Sequence, residues 1–489
     1  MNTMLWKNGG LQSGRQSNLI YDEKLAALAL AGPMEGVLLL EPVETPEAFN
    51  DLVASWNAQT PAGTEVEVYG RLRVDGRWSA WMSWGTWGTH VKRACPDQED
   101  GLVWANSYWD GGDSSINVKD GKTADAFQLK AVLRACSEAK AMPILTLLAA
   151  TWKNTNDPNW RAKCENPQSR EGLTVLPPRV LLDTPAISQK RRDPDYGGVI
   201  CSATSIAMQL NHCGLNVLPE ETTFLCQDYG FGGTGNWSFT VACAGAYGME
   251  SYACYMDFAD LKAELAKGYP VGLSVKYSWR DDMDVPLLTN SSVTTHGHLI
   301  VCTGYFFSEE LSETVYYVND PAGGFDLSSG PREYRESQLD KAWQRRMVYI
   351  VHRRDAEESI CPAADAKLCD APFRRIEASL VPVPGKPGFY DLMANGNPVC
   401  PSIDFPRDKR RVFGGHGTLY WYIEGDESEL SEGPKRCTAN HNFHYEGLLV
   451  TADGQIWSEG DMFGRLKARG KSIVFGLVEN SGLHYIARL

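Results

Sequence analysis

The segment "GGVICSATSIAMQLNHCG", Gly197 to Gly214, constrains the chain most. Ala203, Ile206, Leu210 and Cys213 recur at helical spacing, and Gly214 stands where a helix commonly stops. This helix lies in a chain whose flanks are patterned for strands, and it places Cys201 in its first turn. The first-turn N–H groups lack intrahelical partners and the helix dipole is positive there, so an anion is favoured. A thiol so placed beside an imidazolium can ionise well below its usual pKa of about 8.5. A cysteine that merely fills space is the alternative, and a metal ligand a third.

Residues 36–150 read as β structure. "TEVEVYGRLRV" alternates apolar and polar residues at the strand period, and "DAFQLKAVLRA" and "PILTLLAATW" supply two further candidate strands. Trp78, Trp81, Trp84 and Trp87 recur three apart, and ten of the fifteen tryptophans precede residue 161. Such a concentration suits the core or rim of a sandwich, or an aromatic face for a glycan or peptide. We expect an N-terminal all-β sandwich over residues 1–170, with a polar, Pro-bearing connection from Lys153 to Pro178. From Leu181 to His352 helical and strand patterns mix. In "DFADLKAELAKG", Asp257 is an expected N-cap and Gly268 an expected stop; "YPVGLSVKY", "HLIVCTGYFF" and "TVYYVNDP" read as strands. This α+β region is expected over 176–355. "RRDAEESICPAADAKLCDAP" reads as a linker, and a β-rich C-terminal domain follows over 370–489.

With 489 residues, two to four domains are expected. The net charge of −14 argues against a nucleic-acid partner. No apolar run is long enough for a membrane span, and "MNTMLWKNGGLQSGRQSNLI" lacks a signal-like core, so a cytoplasmic chain is expected unless a signal precedes it. The 13 cysteines are scattered without a Cys-x-x-Cys pair, which fits buried thiols in a reducing compartment and leaves no expected metal or cofactor.

His298 opens "HLIVCTGY", and Asp320 ends "VYYVND". In an antiparallel hairpin turning near Glu309 the two stand opposite each other and share a face. Asp320 then fixes the imidazole tautomer and supports its cation. Asn319 would pair with Leu299 and face away, although one bulge would reverse that. His296 shares the parity of His298 and is the rival base, with an exposed position expected. A cysteine nucleophile also needs donors for the oxyanion. The Cys201 N–H is one, and Gln189, in "DTPAISQ", is a candidate for the other.

In order, "TPAISQ", "GGVICSATSIAMQL", "GNWSFTVACAGAYGM", "ADLKAELAKGYPVGLSV", "GHLIVCTGY", "VNDPAGG" and "REYRESQLDKAW" resemble bacterial papain-like cysteine peptidases related to the bacteriocin-processing peptidases, which remove double-glycine leaders. The resemblance spans about 176–355 and implies a papain-like α+β domain. It assigns Cys201 as nucleophile, His298 as general base, Asp320 as its orienting group and Gln189 as oxyanion donor. Ala203 departs from the family, where proline is common. Soluble relatives often carry an N-terminal sandwich and are commonly exported. No nucleotide-binding P-loop pattern accompanies the domain, so leader removal coupled to transport is not expected.

The expected function is therefore thioester-mediated hydrolysis of a peptide or amide bond. An amidase or acyltransferase using the same thioester is the first alternative; a glycan- or peptide-binding protein with an inert central domain is the second. Elsewhere, His416, His441 and His444 read as polar loop histidines or, at His-x-x-His spacing, metal ligands. "PRDKRR" at 406–411 reads as a solvated turn, and Asn236 and Trp237 are candidate cleft residues.

Overall fold

The alternating segment forms one strand, Thr64–Val74, whose residues switch between buried and half-buried along its whole length. Its neighbour Asp51–Gln59 (β1) differs: every residue is buried. A strand buried on both faces must be covered twice, and that double coverage explains how the chain is assembled. The computed structural model describes residues 2–357 apart from 62, 90, 107–113, 192–197, 216, 218, 282, 292 and 324–330, and then 374–387, 389–394, 397–404, 415–424, 448–450, 456–458, 472–478 and 484–488.

Two antiparallel sheets form the N-terminal region. One pairs β1 with Ile144–Lys153 (β4), from Asp51 opposite Lys153 to Gln59 opposite Ile144. The other pairs Thr64–Val74 (β2) with Ala124–Ala135 (β3), from Thr64 opposite Ala135 to Val74 opposite Ala124. Phe127 packs edge-on to Phe49, with centroids 6.1 Å apart, and lies 5.2 Å from Trp152, in a common core. The closely spaced tryptophans divide between core and surface. Trp84 and Trp87 are buried, and the Trp84 indole N–H donates to the Ser114 carbonyl at 2.7 Å. Trp78 and Trp81 are partly exposed, and the Arg71 guanidinium lies 4.7 and 4.6 Å from their ring centroids.

Helix Cys201–His212 (α1) is followed by helix Pro219–Cys226, then by helix Trp237–Ala246 (α2), strand Glu250–Tyr255 (β5) and helix Phe258–Ala266 (α3). Strands Val271–Tyr277 (β6), Thr295–Ser308 (β7), Glu313–Asn319 (β8), Arg332–Arg335 (β9) and Met347–His352 (β10) complete an antiparallel sheet in the order β5–β10–β6–β7–β8–β9. The local signals around α3 are those of the sequence. Asp257 caps it by accepting from the Asp260 N–H at 2.8 Å, and Gly268 adopts a φ of +91° just past its end.

The second covering of β1 comes from α2 and β5. Trp56 and Phe239 meet edge to face at 6.2 Å, worth about 1 kcal/mol beyond their buried area. Asn57 donates to the Ser251 carbonyl at 2.7 Å and accepts from its N–H at 2.9 Å, and Gln59 donates to the Gly245 carbonyl at 2.7 Å. A Cβ on Gly245 would lie 2.7 Å from Asn57, so only glycine lets α2 approach the sheet this closely. The N-terminal region thus forms part of the wall that holds α2.

Beyond residue 373, strands 374–382, 389–394, 397–404, 415–424, 472–478 and 484–488 form a six-stranded antiparallel sheet among the described residues. His441, His444 and "PRDKRR" lie outside the described residues, as does the side chain of His416. Among the described residues no helix is long and apolar enough to cross a membrane.

Candidate active site

Helix α1 runs through the middle of the central region, buried from Ser202 to Leu210. Its interior hydroxyl and amide groups find fixed partners. The Ser205 hydroxyl donates to the Leu299 carbonyl at 3.1 Å, and Gln209 donates to the Pro270 and Tyr349 carbonyls, each at 3.0 Å. These bonds seat the helix on β6, β7 and β10. Its N-cap residue Ile200 makes no side-chain cap, and Cys201, the first residue of the helix, lines the adjoining cleft. Ala203 needs no replacement by proline there, because a first-turn N–H has no intrahelical carbonyl to lose.

Cys201 is partly exposed; His298 and Asp320 are buried. His298 Nε2 lies 2.8 Å from Asp320 Oδ1. The same oxygen accepts the Ala322 N–H at 2.9 Å, while Oδ2 accepts the hydroxyls of Tyr277 at 2.5 Å and Tyr334 at 3.0 Å. Four donors therefore surround one buried carboxylate. Burial alone would raise its pKa, but the His298 cation and these hydrogen bonds hold it at about 2. Burial would lower the His298 pKa; the Asp320 charge and hydrogen bond, with those of Cys201, raise it to about 10. Burial likewise opposes ionisation of Cys201, yet the hydrogen bond and charge of His298, with the Leu299 and Ser202 N–H groups, bring the thiol below its ordinary value. Asp320 engages Nε2, which leaves Nδ1 for the sulfur. The site favours thiolate with imidazolium.

The hairpin register differs from the one expected. Ser308 pairs with Glu313, so the turn is Glu309–Ser312, and a bulge at Thr303 shifts the pairing to bring Val301 opposite Asn319. His298 and Asp320 are thus diagonal rather than directly opposite. Because the shift is two residues, an even number, the shared face is retained. Asn319 points away and donates to the Thr184 carbonyl at 3.0 Å.

Gln189 is buried and lines the same cleft as Cys201 and His298. Its N–H donates to the Pro321 carbonyl at 2.8 Å and its Nε2 to the Gly198 carbonyl at 3.0 Å, which leaves a second amide hydrogen. His296 lies on the rim with 65% of its side chain exposed and Nε2 3.4 Å from Asp284. Trp237 lines the cleft, but Asn236 is wholly buried as the cap of α2, accepting the Phe239 N–H at 3.0 Å. The cleft has a volume of about 560 Å³.

Three contributors escaped the sequence reading. Tyr277 and Tyr334 reach Asp320 from other strands, and nothing local marks them. Asp228 is buried and organises the glycine-rich wall Phe231–Gly235. Its Oδ1 accepts the Gly230 and Cys95 N–H groups at 2.9 and 3.1 Å, and its Oδ2 the Asn236 amide at 2.7 Å. The glycine cluster "DYGFGGTG" was the available signal for a shaped loop.

A central helix with cysteine at its tip, packed against an antiparallel sheet that carries a histidine–carboxylate pair, has the form of a papain-like cysteine peptidase. Residues 181–349 match the Peptidase_C39 like family, and residues 35–152 match a Peptidase C39 N-terminal domain. The two matches support a C39-type papain-like cysteine peptidase domain within a β-rich multidomain protein. No curated protein matches the chain in a sequence search.

Proposed function

We propose that the chain hydrolyses a peptide bond through a Cys201 thioester, with Cys201, His298 and Asp320 as its triad. The observation that carries this reading is the buried 2.8 Å His298–Asp320 pair in the cleft that Cys201 lines, with His298 drawing the Cys201 thiol below its ordinary pKa against the effect of burial. The thiolate attacks the substrate carbonyl. The oxyanion takes hydrogen bonds from the Cys201 N–H and the Gln189 amide. His298 gives its Nδ1 proton to the leaving amine as the C–N bond breaks, and becomes neutral. It then accepts a proton from the water that attacks the thioester, which releases the acid and restores the pair. Asp320 keeps Nε2 protonated throughout.

Cys201→Ala tests this directly. Peptide cleavage by the full chain is expected to fall by about 10³-fold or more with an unchanged thermal melt. Cleavage that persists in the folded variant would refute the assignment.

A further inference from the structure

Among the described residues, the cleft beside Cys201 is lined by basic side chains and no acidic ones, in a protein whose net charge is −14. Its walls include Lys190, Lys276 and Arg345 and, among the described residues, no aspartate or glutamate. The whole chain has 61 acidic residues against 47 basic ones. Lys276 is close to the chemistry: it follows Val275, which pairs with His298, and stands opposite the irregularity at His296–Gly297 where the register shifts. Bulges of this kind recur beside active sites, where they redirect side chains. The ammonium groups of Lys190 and Lys276 have no ion-pair partner among the described residues. Arg345 lies over the Trp237 ring, 5.7 Å from its centroid, and its largely buried guanidinium also feels the charge of Asp51. The N-terminus of α1 opens on this space at Cys201 and adds positive potential. Thr234 lines the cleft as well, and its buried hydroxyl has no hydrogen-bond partner. Low-dielectric walls of one charge sign concentrate ligands of the opposite sign.

We propose that the cleft selects a peptide bearing a carboxylate within a few residues of the bond to be cleaved, with Lys276 and Arg345 as specificity-determining cations. This inference rests on the peptidase reading and names its substrate class. The carboxylate comes from an acidic side chain or from the end of the substrate chain.

The test uses the full chain carrying Cys201→Ala and fluorescent, N-acetylated decapeptide pools with glutamate, glutamine or lysine scanned through each position. Each pool is made as the C-terminal acid and as the amide. Glutamate pools are expected to bind at least tenfold tighter than lysine pools, with the advantage shrinking as salt rises. A tenfold gain for the acid over the amide, without a gain from internal glutamate, supports the same charge selection and assigns the carboxylate to the chain end. Lys276→Glu and Arg345→Glu are expected to abolish or reverse the preference; Lys276→Gln, the milder change, is expected to weaken it with an unaltered melt. Equal binding of all pools, no binding, or a preference untouched by these substitutions would overturn the proposal. Alkylation of Cys201 by iodoacetamide in the unmodified chain tests the peptidase reading separately, because it needs no peptide.

Discussion

His298 and Asp320 lie diagonally across neighbouring strands, with Nε2 2.8 Å from Oδ1 and four donors in all converging on the carboxylate. Asp320→Asn removes the charge that holds the imidazole cationic. Peptide cleavage at neutral pH is expected to fall by about 10²–10⁴-fold. Alkylation of Cys201 should also shift to higher pH, because a neutral imidazole no longer stabilises the thiolate. An unchanged alkylation profile would show that Asp320 does not act through His298.

The same pair predicts how stability depends on pH. Asp320 is held at about 2 in the folded chain against an ordinary 3.8, so its contribution is present above about pH 4 and is lost as pH falls toward 2. His298 is raised from 6.5 to about 10, so its contribution is complete below 6.5 and is lost as pH rises toward 10. Between pH 6.5 and 10 the Tm of Asp320→Asn should therefore fall less than that of the unmodified chain. Parallel curves would contradict this linkage.

Asp228→Ala leaves the Cys95 and Gly230 N–H groups and the Asn236 amide without their acceptor. Unsatisfied buried donors cost about 1–3 kcal/mol each, so a loss of about 3 kcal/mol is expected. Denaturant unfolding measures it. Because this carboxylate shapes the cleft wall, KM for peptide cleavage should also rise in the surviving folded protein.

Much of this architecture is legible locally. The strand Thr64–Val74 follows from its alternation, and α3 is bracketed by an aspartate cap and a glycine stop that need no tertiary information. The helix start at Cys201 and the shared face of His298 and Asp320 follow from period and parity. The register does not, because the bulge at Thr303 reflects packing of the whole sheet. Nor do Tyr277, Tyr334 and the bond from Cys95 to Asp228, which join segments far apart in the chain. The burial of β1 on both faces is not legible, because "DLVASWNAQ" alternates apolar residues with Ser55, Asn57 and Gln59 and so reads as a strand with one polar face.

That second cover predicts that residues 176–355 expressed alone do not form a soluble folded domain. Phe239, Gly245 and Ser251 would lose Trp56, Asn57 and Gln59 and expose a broad apolar face. Size-exclusion chromatography should show aggregate for this fragment and a discrete species for residues 1–355. A monodisperse, cooperatively melting fragment would refute the shared core.

The central claim is that Cys201 is a thiolate held by His298, and site-resolved alkylation tests it most directly. The native full chain is treated briefly with iodoacetamide at pH 6, and each cysteine is quantified by mass spectrometry. Cys201 should label at least tenfold faster than the exposed Cys136, and His298→Ala should abolish that difference. Labelling of Cys201 no faster than Cys136, or a rate indifferent to His298, would contradict the account.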